Sequence, residues 1–448
     1  MRSEVARLYA QYLSASLTPV SVVERHLALA RDVGGRLSAF TLLAADGARA
    51  AAAASAARYA RGEPRSVLDG VPVVVKDLLH VRGLPTTCGS RASDPRPATS
   101  DAEAVARLRS LGAAVVGKTT LSEYGLGTLH PEVPPARNPW APDREEARAP
   151  AGSAAAVAAG IGFLALTTDT LGAARAAAAA FGAVALKPGH GALPMAGVVP
   201  VAPTLDHLAL LTRTVDDARL AYEALTGSTA RGAGDRPLRL GVAWPEGTGE
   251  GVRQVVERIL AELGREGVEI VPVEPLPWRE ANAAAWTIAA AEALEVHGPR
   301  LAGRWAEYGP ALRRRLVAGA VVSAADYVRA RRVRGALVER WHALLRHEAV
   351  DAVATPTLGS PRADAPAPQG RRLVPERTRT TALYALLGVP ALTLPAGLGP
   401  DGLPVGVQFA AGAGREGMVL DVAARAERVR GVLPRPPAGA DPFAPPAA

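Results

Sequence analysis

The chain has 448 residues, of which 48% are hydrophobic, and this composition excludes a wholly disordered protein. Its 51 basic and 43 acidic residues give a net charge of +8, which is spread along the chain. The single cysteine, Cys88, excludes an internal disulfide and a CxxC zinc site, and no eighteen apolar residues follow one another without a charge. We therefore expect a cytoplasmic protein with no membrane span.

The N-terminal part of the chain predicts a helical lead-in. Apolar residues recur with helical spacing over residues 4–60, and an alanine-rich run fills residues 44–60. The short apolar run at residues 71–75 then ends in Lys76 and Asp77. This pattern is typical of a strand that is buried on both faces and delivers polar side chains at its end.

Predicted strands and helices alternate through the rest of the chain. This order favours an α/β fold with a central mixed β-sheet covered by helices on both faces. We predict strands at 113–116, 164–168, 239–243 and 350–354, and helices at 102–111, 154–160, 252–263 and 417–429.

The basic residues do not indicate a nucleic-acid partner. The densest arginine clusters, at residues 313–315 and 329–334, lie in helix-periodic segments with few aromatic residues, which favours solvated helix faces. Only three basic residues are lysines, namely Lys76, Lys118 and Lys187. Because a buried lysine can lose its proton and an arginine cannot, these positions are candidates for a compact or neutralisable amine.

Seven short blocks in chain order resemble the amidase signature family. The resemblance runs from about residue 4 to residue 430, and its density makes it specific. The blocks are 70–77 (GVPVVVKD), 83–90 (GLPTTCGS), 117–119 (GKT), 138–140 (NPW), 186–188 (LKP), 205–207 (LDH) and 402–408 (GLPVGVQ).

The resemblance implies the amidase signature α/β fold in one domain. Within residues 1–432 we expect the lead-in to span 1–60, the signature core 61–226 and the remaining sheet and helices 227–432. A loop is expected at 227–237, and a loose proline- and alanine-rich tail at 433–448.

The family's chemistry uses a nucleophilic serine, a relay serine in a cis peptide and a lysine base. By resemblance, Lys76 is the lysine, Ala149 stands at the relay position and Ala173 stands at the nucleophile position. The same resemblance implies an oxyanion-binding turn. It consists of Thr170, Leu171 and Gly172, braced by Asp169 and Arg175.

With both serines replaced by alanine, the sequence favours a non-hydrolytic pseudoamidase. Such a protein would bind a small amide or acyl ligand, or serve as a partner subunit in a homodimer or hetero-oligomer. The alternative is a repurposed enzyme that uses the amidase cleft and Lys76 for a different reaction on an amide or acyl compound.

Three other residues are candidates for a nucleophile, and for each of them a structural interpretation is favoured. Ser153 is expected to cap the helix that follows it, Thr170 to point into the fold, and Cys88 to be a small buried hydrophobe. His190 and His207 have no further ligand at metal spacing, so we expect no metal and no cofactor.

Two expectations concern the conformation of this region. Lys76 is expected to act as a brace that donates to loop carbonyls, rather than as a base or Schiff-base amine. The family's cis bend is expected to persist at the Arg148–Ala149 or Ala149–Pro150 bond, because a bond before proline adopts cis at low cost.

Overall fold

A computed structural model describes residues 3–126, 129–144, 149, 151–234, 236–360 and 380–444. Its core is one sheet of eleven strands, in the spatial order β1-β3-β2-β4-β6-β5-β10-β11-β9-β7-β8. The strands are β1 Phe40–Leu43, β2 Pro72–Lys76, β3 Ala114–Thr119, β4 Leu164–Thr168, β5 Val184–Lys187, β6 Leu208–Thr212, β7 Arg239–Val242, β8 Glu269–Pro272, β9 Ala352–Pro356, β10 Ala391–Leu398 and β11 Pro404–Ala411.

The sheet is mixed, as the sequence predicts. Strand β2 runs parallel to both β3 and β4, and β7 runs parallel to β8 and β9. The remaining pairs are antiparallel, including β4 with β6 and β10 with β11. Every residue of β2 and of β4 is buried, which explains why both strands read as continuous apolar runs that end in polar residues.

Fourteen helices occur in the described part of the chain. They are α1 Glu4–Leu13, α2 Pro19–Arg31, α3 Val33–Arg36, α4 Ala45–Ala60, α5 Glu103–Ser110, α6 Gly152–Ala158, α7 Ala173–Phe181, α8 Val215–Thr226, α9 Glu250–Arg265, α10 Trp278–Arg304, α11 Pro310–Ala320, α12 Ala324–His347, α13 Thr381–Leu387 and α14 Glu416–Arg430. Within these residues, none is long and apolar enough to span a bilayer.

Small residues let α7 approach the sheet closely. A side chain at Gly406 of β11 would place its Cβ 2.5 Å from the Cβ of Ala179 in α7, which is closer than real atoms approach. The alanine-rich sequence of α7 and this glycine are therefore both needed for the contact. The contact fixes the helix whose first turn borders the functional site.

Two segments differ from the sequence-based expectation. The lead-in contains strand β1, which pairs antiparallel with β3, because its FTLL sequence combines β-branched and aromatic residues. Residues 433–444, expected to be loose, are bound to the domain: Ala440 donates to the carbonyl of Ala159, and Phe443 packs against Phe163 at 5.4 Å between ring centroids. An aromatic contact with the buried Phe163 outweighs the weak ordering tendency of a proline-rich segment.

Candidate active site

Two polar side chains lie at the ends of neighbouring parallel strands. Lys76 is the last residue of β2 and Thr168 is the last residue of β4, and these strands pair side by side. Because parallel strands end at the same edge of a sheet, the two side chains meet there. The Lys76 Nζ donates a hydrogen bond of 2.8 Å to the Thr168 Oγ1.

The environment of Lys76 makes its charged form less stable than that of an exposed lysine. Its side chain is 8% exposed, and burial lowers the pKa of Lys76 to about 8, although the negative charges of Asp169 and Asp206 act in the opposite direction. An amine with a pKa near 8 is partly deprotonated at neutral pH. It can therefore accept a proton from a neighbouring group.

The other two lysines have a different environment. Lys118 pairs with the Asp77 carboxylate at 2.7 Å and donates to the carbonyl of Pro85, and Lys187 donates to the carbonyls of Pro188 and Val389. In the described part of the chain, Lys76 donates to no backbone carbonyl. These contacts therefore do not support the expected role of Lys76 as a brace that donates to loop carbonyls.

A buried ion pair holds the turn that follows β4. Arg175 binds both oxygens of the Asp169 carboxylate at 3.0 Å, and it also donates to Gln408 and to the carbonyl of Thr381. Burial raises the pKa of Asp169, but the charge and hydrogen bonds of Arg175 outweigh it, so the pKa lies below its usual value. Asp169 and Arg175 thus brace the turn between β4 and α7.

The turn ends in a left-handed glycine. Gly172 has φ of 92°, and a Cβ there would lie 2.0 Å from the side chain of Thr381, so only glycine fits. Helix α7 begins at Ala173, directly after it. Within the described residues, no acceptor binds the backbone N–H groups of Leu171, Gly172 or Ala173. These groups could bind an anionic oxygen.

Lys76 and the turn border one pocket, here called the alanine-lined pocket. Its described wall is mostly apolar, and Lys76 is the only charged side chain among those residues. The wall is formed by Lys76, Thr120, Ser122, Gly125, Leu126, Ala149, Ala151, Gly152, Ser153, Ala154, Thr167, Thr168, Thr170, Leu171, Ala173, Ala174, Ala176, Ala177, Ala180, Val201, Leu211, Trp286 and Leu358.

Both positions that the resemblance assigns to serines lie on this wall. Ala173 lies at the start of α7, and Ala149 is 6% exposed and donates its backbone N–H to the carbonyl of Ala136. The expected cis bend involves Arg148 and Pro150, which lie outside the described residues.

The alternative nucleophiles occupy distinct environments. The expectation that Ser153 caps its helix is wrong, because α6 begins at Gly152 and Ser153 instead shares a hydrogen bond of 2.6 Å with the hydroxyl of Thr119. Thr170 points inward and donates to the Asp206 carboxylate at 2.8 Å. Cys88 is buried, and burial raises the pKa of its thiol.

The two histidines lie beside each other. The His190 and His207 rings are in edge contact at 5.2 Å between centroids, and burial lowers the pKa of His207 well below its usual value. No group of three acidic, histidine or cysteine side chains in the described ranges has the arrangement of a metal site.

Sequence reasoning missed Thr168. A signal for it exists, because its hydroxyl ends a buried strand, directly before Asp169, and a lysine ends the parallel neighbouring strand. The pairing of β2 with β4 is needed to see this, and it joins residues 92 positions apart.

Curated relatives match almost the whole chain. The A subunit of glutamyl-tRNA(Gln) amidotransferase from Anaeromyxobacter dehalogenans is 34% identical, over 94% of this chain and 95% of the relative. The protein of the same name from Thermus thermophilus is 33% identical, over 94% of this chain and 95% of the relative.

These relatives overturn the interpretation of the chain as a pseudoamidase. Their shared name is that of an amidotransferase subunit, and their similarity to this chain extends through the region of the pocket. That interpretation assumed that a chain without hydroxyl groups at Ala149 and Ala173 has no catalytic activity. The pocket instead retains a lysine of lowered pKa in contact with a third hydroxyl.

The fold and the sequence of the chain indicate the same family. A solved crystal structure of an amidase superimposes with a TM-score of 0.86 at 32% identity, covering 94% of this chain and 98% of that one. The architecture is therefore the amidase signature α/β fold. The model of the Amidase family matches residues 21–420. The chain belongs to the amidase family.

Proposed function

We propose that this protein is an enzyme that acts on an amide or acyl compound in the alanine-lined pocket, with Lys76 as its general base. The observation that carries this proposal is the hydrogen bond between Lys76 and Thr168 in a pocket that lowers the pKa of the lysine to about 8. A lysine with this pKa is suited to proton transfer near neutral pH, whereas an ordinary exposed lysine is not.

A fraction of Lys76 is neutral, and so able to accept a proton, at neutral pH. With a pKa of about 8, roughly a tenth of Lys76 is neutral at pH 7, and the neutral fraction rises steeply above it. The 8% exposure of its side chain leaves it in contact with the pocket, so a ligand or water molecule bound there could transfer a proton to it.

The turn supplies the second element of acyl chemistry. Attack on an amide or ester carbonyl places negative charge on its oxygen, and preorganised backbone N–H groups stabilise that charge. Leu171 and Ala173, on either side of Gly172, line the same pocket as Lys76. Asp169 and Arg175 hold them in place through the buried ion pair, so little reorganisation is needed during reaction.

The pocket wall also limits the substrate. Its alanine, leucine and valine side chains favour an uncharged, apolar acyl group, because a polar group buried against them would lose its hydration without gaining a hydrogen bond. We therefore propose neutral acyl compounds as the substrate class.

The test is turnover of p-nitrophenyl esters and p-nitroanilides of acetic, butyric and octanoic acid. We expect the butyrate or octanoate compounds to react, and Lys76→Met to lower kcat/KM by about 10² to 10⁴, because the general base is lost. Circular dichroism of both proteins controls for folding. Turnover in the wild-type protein no higher than in Lys76→Met would contradict the proposal.

We also propose that the protein works in the cytoplasm as one subunit of a hetero-oligomer. The relatives are named as one subunit of an amidotransferase, which supports a hetero-oligomer with at least one further chain. The one cysteine in the chain, Cys88, is free and buried, as is usual for proteins of the reducing cytoplasm. Native mass spectrometry after expression with neighbouring genes would detect the further chain, and a protein that remains a single chain would argue against it.

A further inference from the structure

We infer that Thr168 is the nucleophile of this pocket and that Lys76 activates it. This inference rests on the proposed function, since it assigns the residue that attacks the acyl carbonyl. It follows from the position of the Thr168 hydroxyl, which lies 2.8 Å from the amine and on the wall of the pocket.

The Thr168 hydroxyl has the contacts that a nucleophile needs. In the described part of the chain its only hydrogen-bond partner is Lys76, so no carboxylate or carbonyl holds the hydroxyl proton. The residue is 3% exposed, which excludes bulk water from the bond between the two side chains. When Lys76 is neutral, its lone pair can accept the proton of this hydroxyl.

Three other hydroxyls on the pocket wall have hydrogen-bond partners other than Lys76. Thr170 donates to Asp206, Thr120 donates to the carbonyl of Ser38, and Ser153 shares its hydrogen bond with Thr119. Thr167 also borders the pocket, but among the described residues the hydrogen bond of the Lys76 amine goes to Thr168. Thr168 is thus the hydroxyl that the geometry places against the base.

The first half of the reaction transfers the acyl group to the enzyme. Neutral Lys76 takes the proton of the Thr168 hydroxyl as Oγ1 forms a bond to the carbonyl carbon. The N–H groups of the turn stabilise the resulting oxyanion. The bond from carbon to the leaving nitrogen or oxygen then breaks, and the leaving group takes the proton from the Lys76 ammonium. The product is an ester of Thr168.

The second half releases the acyl group. Water or an acceptor amine loses a proton to the neutral Lys76 amine as it attacks the ester carbonyl. The bond to Oγ1 breaks, and the lysine ammonium returns its proton to Thr168. Both side chains regain their starting states, and no oxidant, reductant or metal is required for the balance.

The test combines turnover of p-nitrophenyl butyrate with labelling by an alkyl fluorophosphonate, which phosphonylates activated hydroxyls with loss of fluoride. We expect the label on Thr168 in peptide mass spectra. Thr168→Val should abolish labelling and lower turnover by about 10⁴-fold or more, whereas Thr168→Ser should retain both, because it keeps the hydroxyl.

The matched control is Thr212→Val, which removes a buried hydroxyl of similar type from the neighbouring strand β6. Thr212 donates to the carbonyl of Thr214 and does not border the pocket, so its variant should lose some stability but keep labelling and turnover. A melting temperature measured for each variant separates unfolding from loss of the nucleophile.

The outcomes distinguish the inference from the proposed function. A label on Ser153 or another residue, or unchanged turnover in Thr168→Val, would overturn the role of Thr168. If turnover in that case still depended on Lys76, the enzyme proposal would stand, with the lysine activating another group. Absence of both label and Lys76-dependent turnover in the wild-type protein would overturn both.

Discussion

Replacing Arg175 with methionine is expected to lower the free energy of unfolding by about 3 to 5 kcal/mol. The substitution keeps an unbranched side chain of similar length but leaves the carboxylate of Asp169 buried without its cation. It also removes the donors to Gln408 and to the carbonyl of Thr381. Urea denaturation at neutral pH measures the change.

The matched control is the same substitution at an exposed ion pair. Arg36 binds Asp32 at 2.8 Å one helical turn away, and both side chains are about two-thirds exposed. Such a pair contributes little, because water and salt screen it. We expect Arg36→Met to leave stability nearly unchanged. Equal effects of the two substitutions would show that the buried pair does not hold the turn.

Replacing Lys76 with methionine is expected to stabilise the protein at neutral pH. Burial lowers the pKa of Lys76 from 10.5 to about 8, and a shift of this size costs about 3 kcal/mol while the lysine is charged. Losing the hydrogen bond to Thr168 offsets about 1 kcal/mol of this. The variant should therefore gain about 2 kcal/mol, as measured by urea denaturation at pH 7.

The gain should depend on pH in a defined direction. Below pH 8 Lys76 is protonated in both the folded and the unfolded chain, so the cost is complete. Between pH 8 and 10.5 the unfolded chain binds more protons, so the stability of the wild-type protein rises with pH relative to the variant. The advantage of Lys76→Met should shrink across this window.

Lys118→Met provides the control with the opposite sign. Lys118 is fully buried against Asp77, so removing its amine leaves a buried carboxylate without its cation. We expect a loss of about 3 kcal/mol or more. If Lys76→Met lost stability as Lys118→Met should, Lys76 would be a brace after all.

The sequence predicts much of the fold because its strands are short apolar runs with clear ends. The strand predicted at 164–168 has the same bounds in the structure, and the helix predicted at 252–263 is found as Glu250–Arg265. Strand β1 is missed because four half-buried residues, between helices, carry no strong period. Helix α6 begins two residues earlier than predicted because its N-cap, Ala151, offers no polar side chain as a signal.

Part of the candidate site is also predictable from the sequence, because several of its residues lie in short sequence blocks. Lys76, Ala149, Ala173 and the turn follow from short blocks of the amidase family, and the structure brings them to one pocket. No block identifies the partner of Lys76, because contact with Thr168 depends on strand pairing across distant parts of the chain. The pKa of Lys76 likewise depends on burial that only tertiary packing creates.

The most direct test of Lys76 as a general base is the pH dependence of kcat/KM for p-nitrophenyl butyrate. Because only the neutral amine can accept a proton, we expect the rate to rise with pH and to level off above an inflection near pH 8 in the wild-type protein. Lys76→Met should lack this inflection and react far more slowly at every pH. A profile without an inflection between about pH 6 and 9, or the same profile in both proteins, would contradict the assignment of Lys76 as the base.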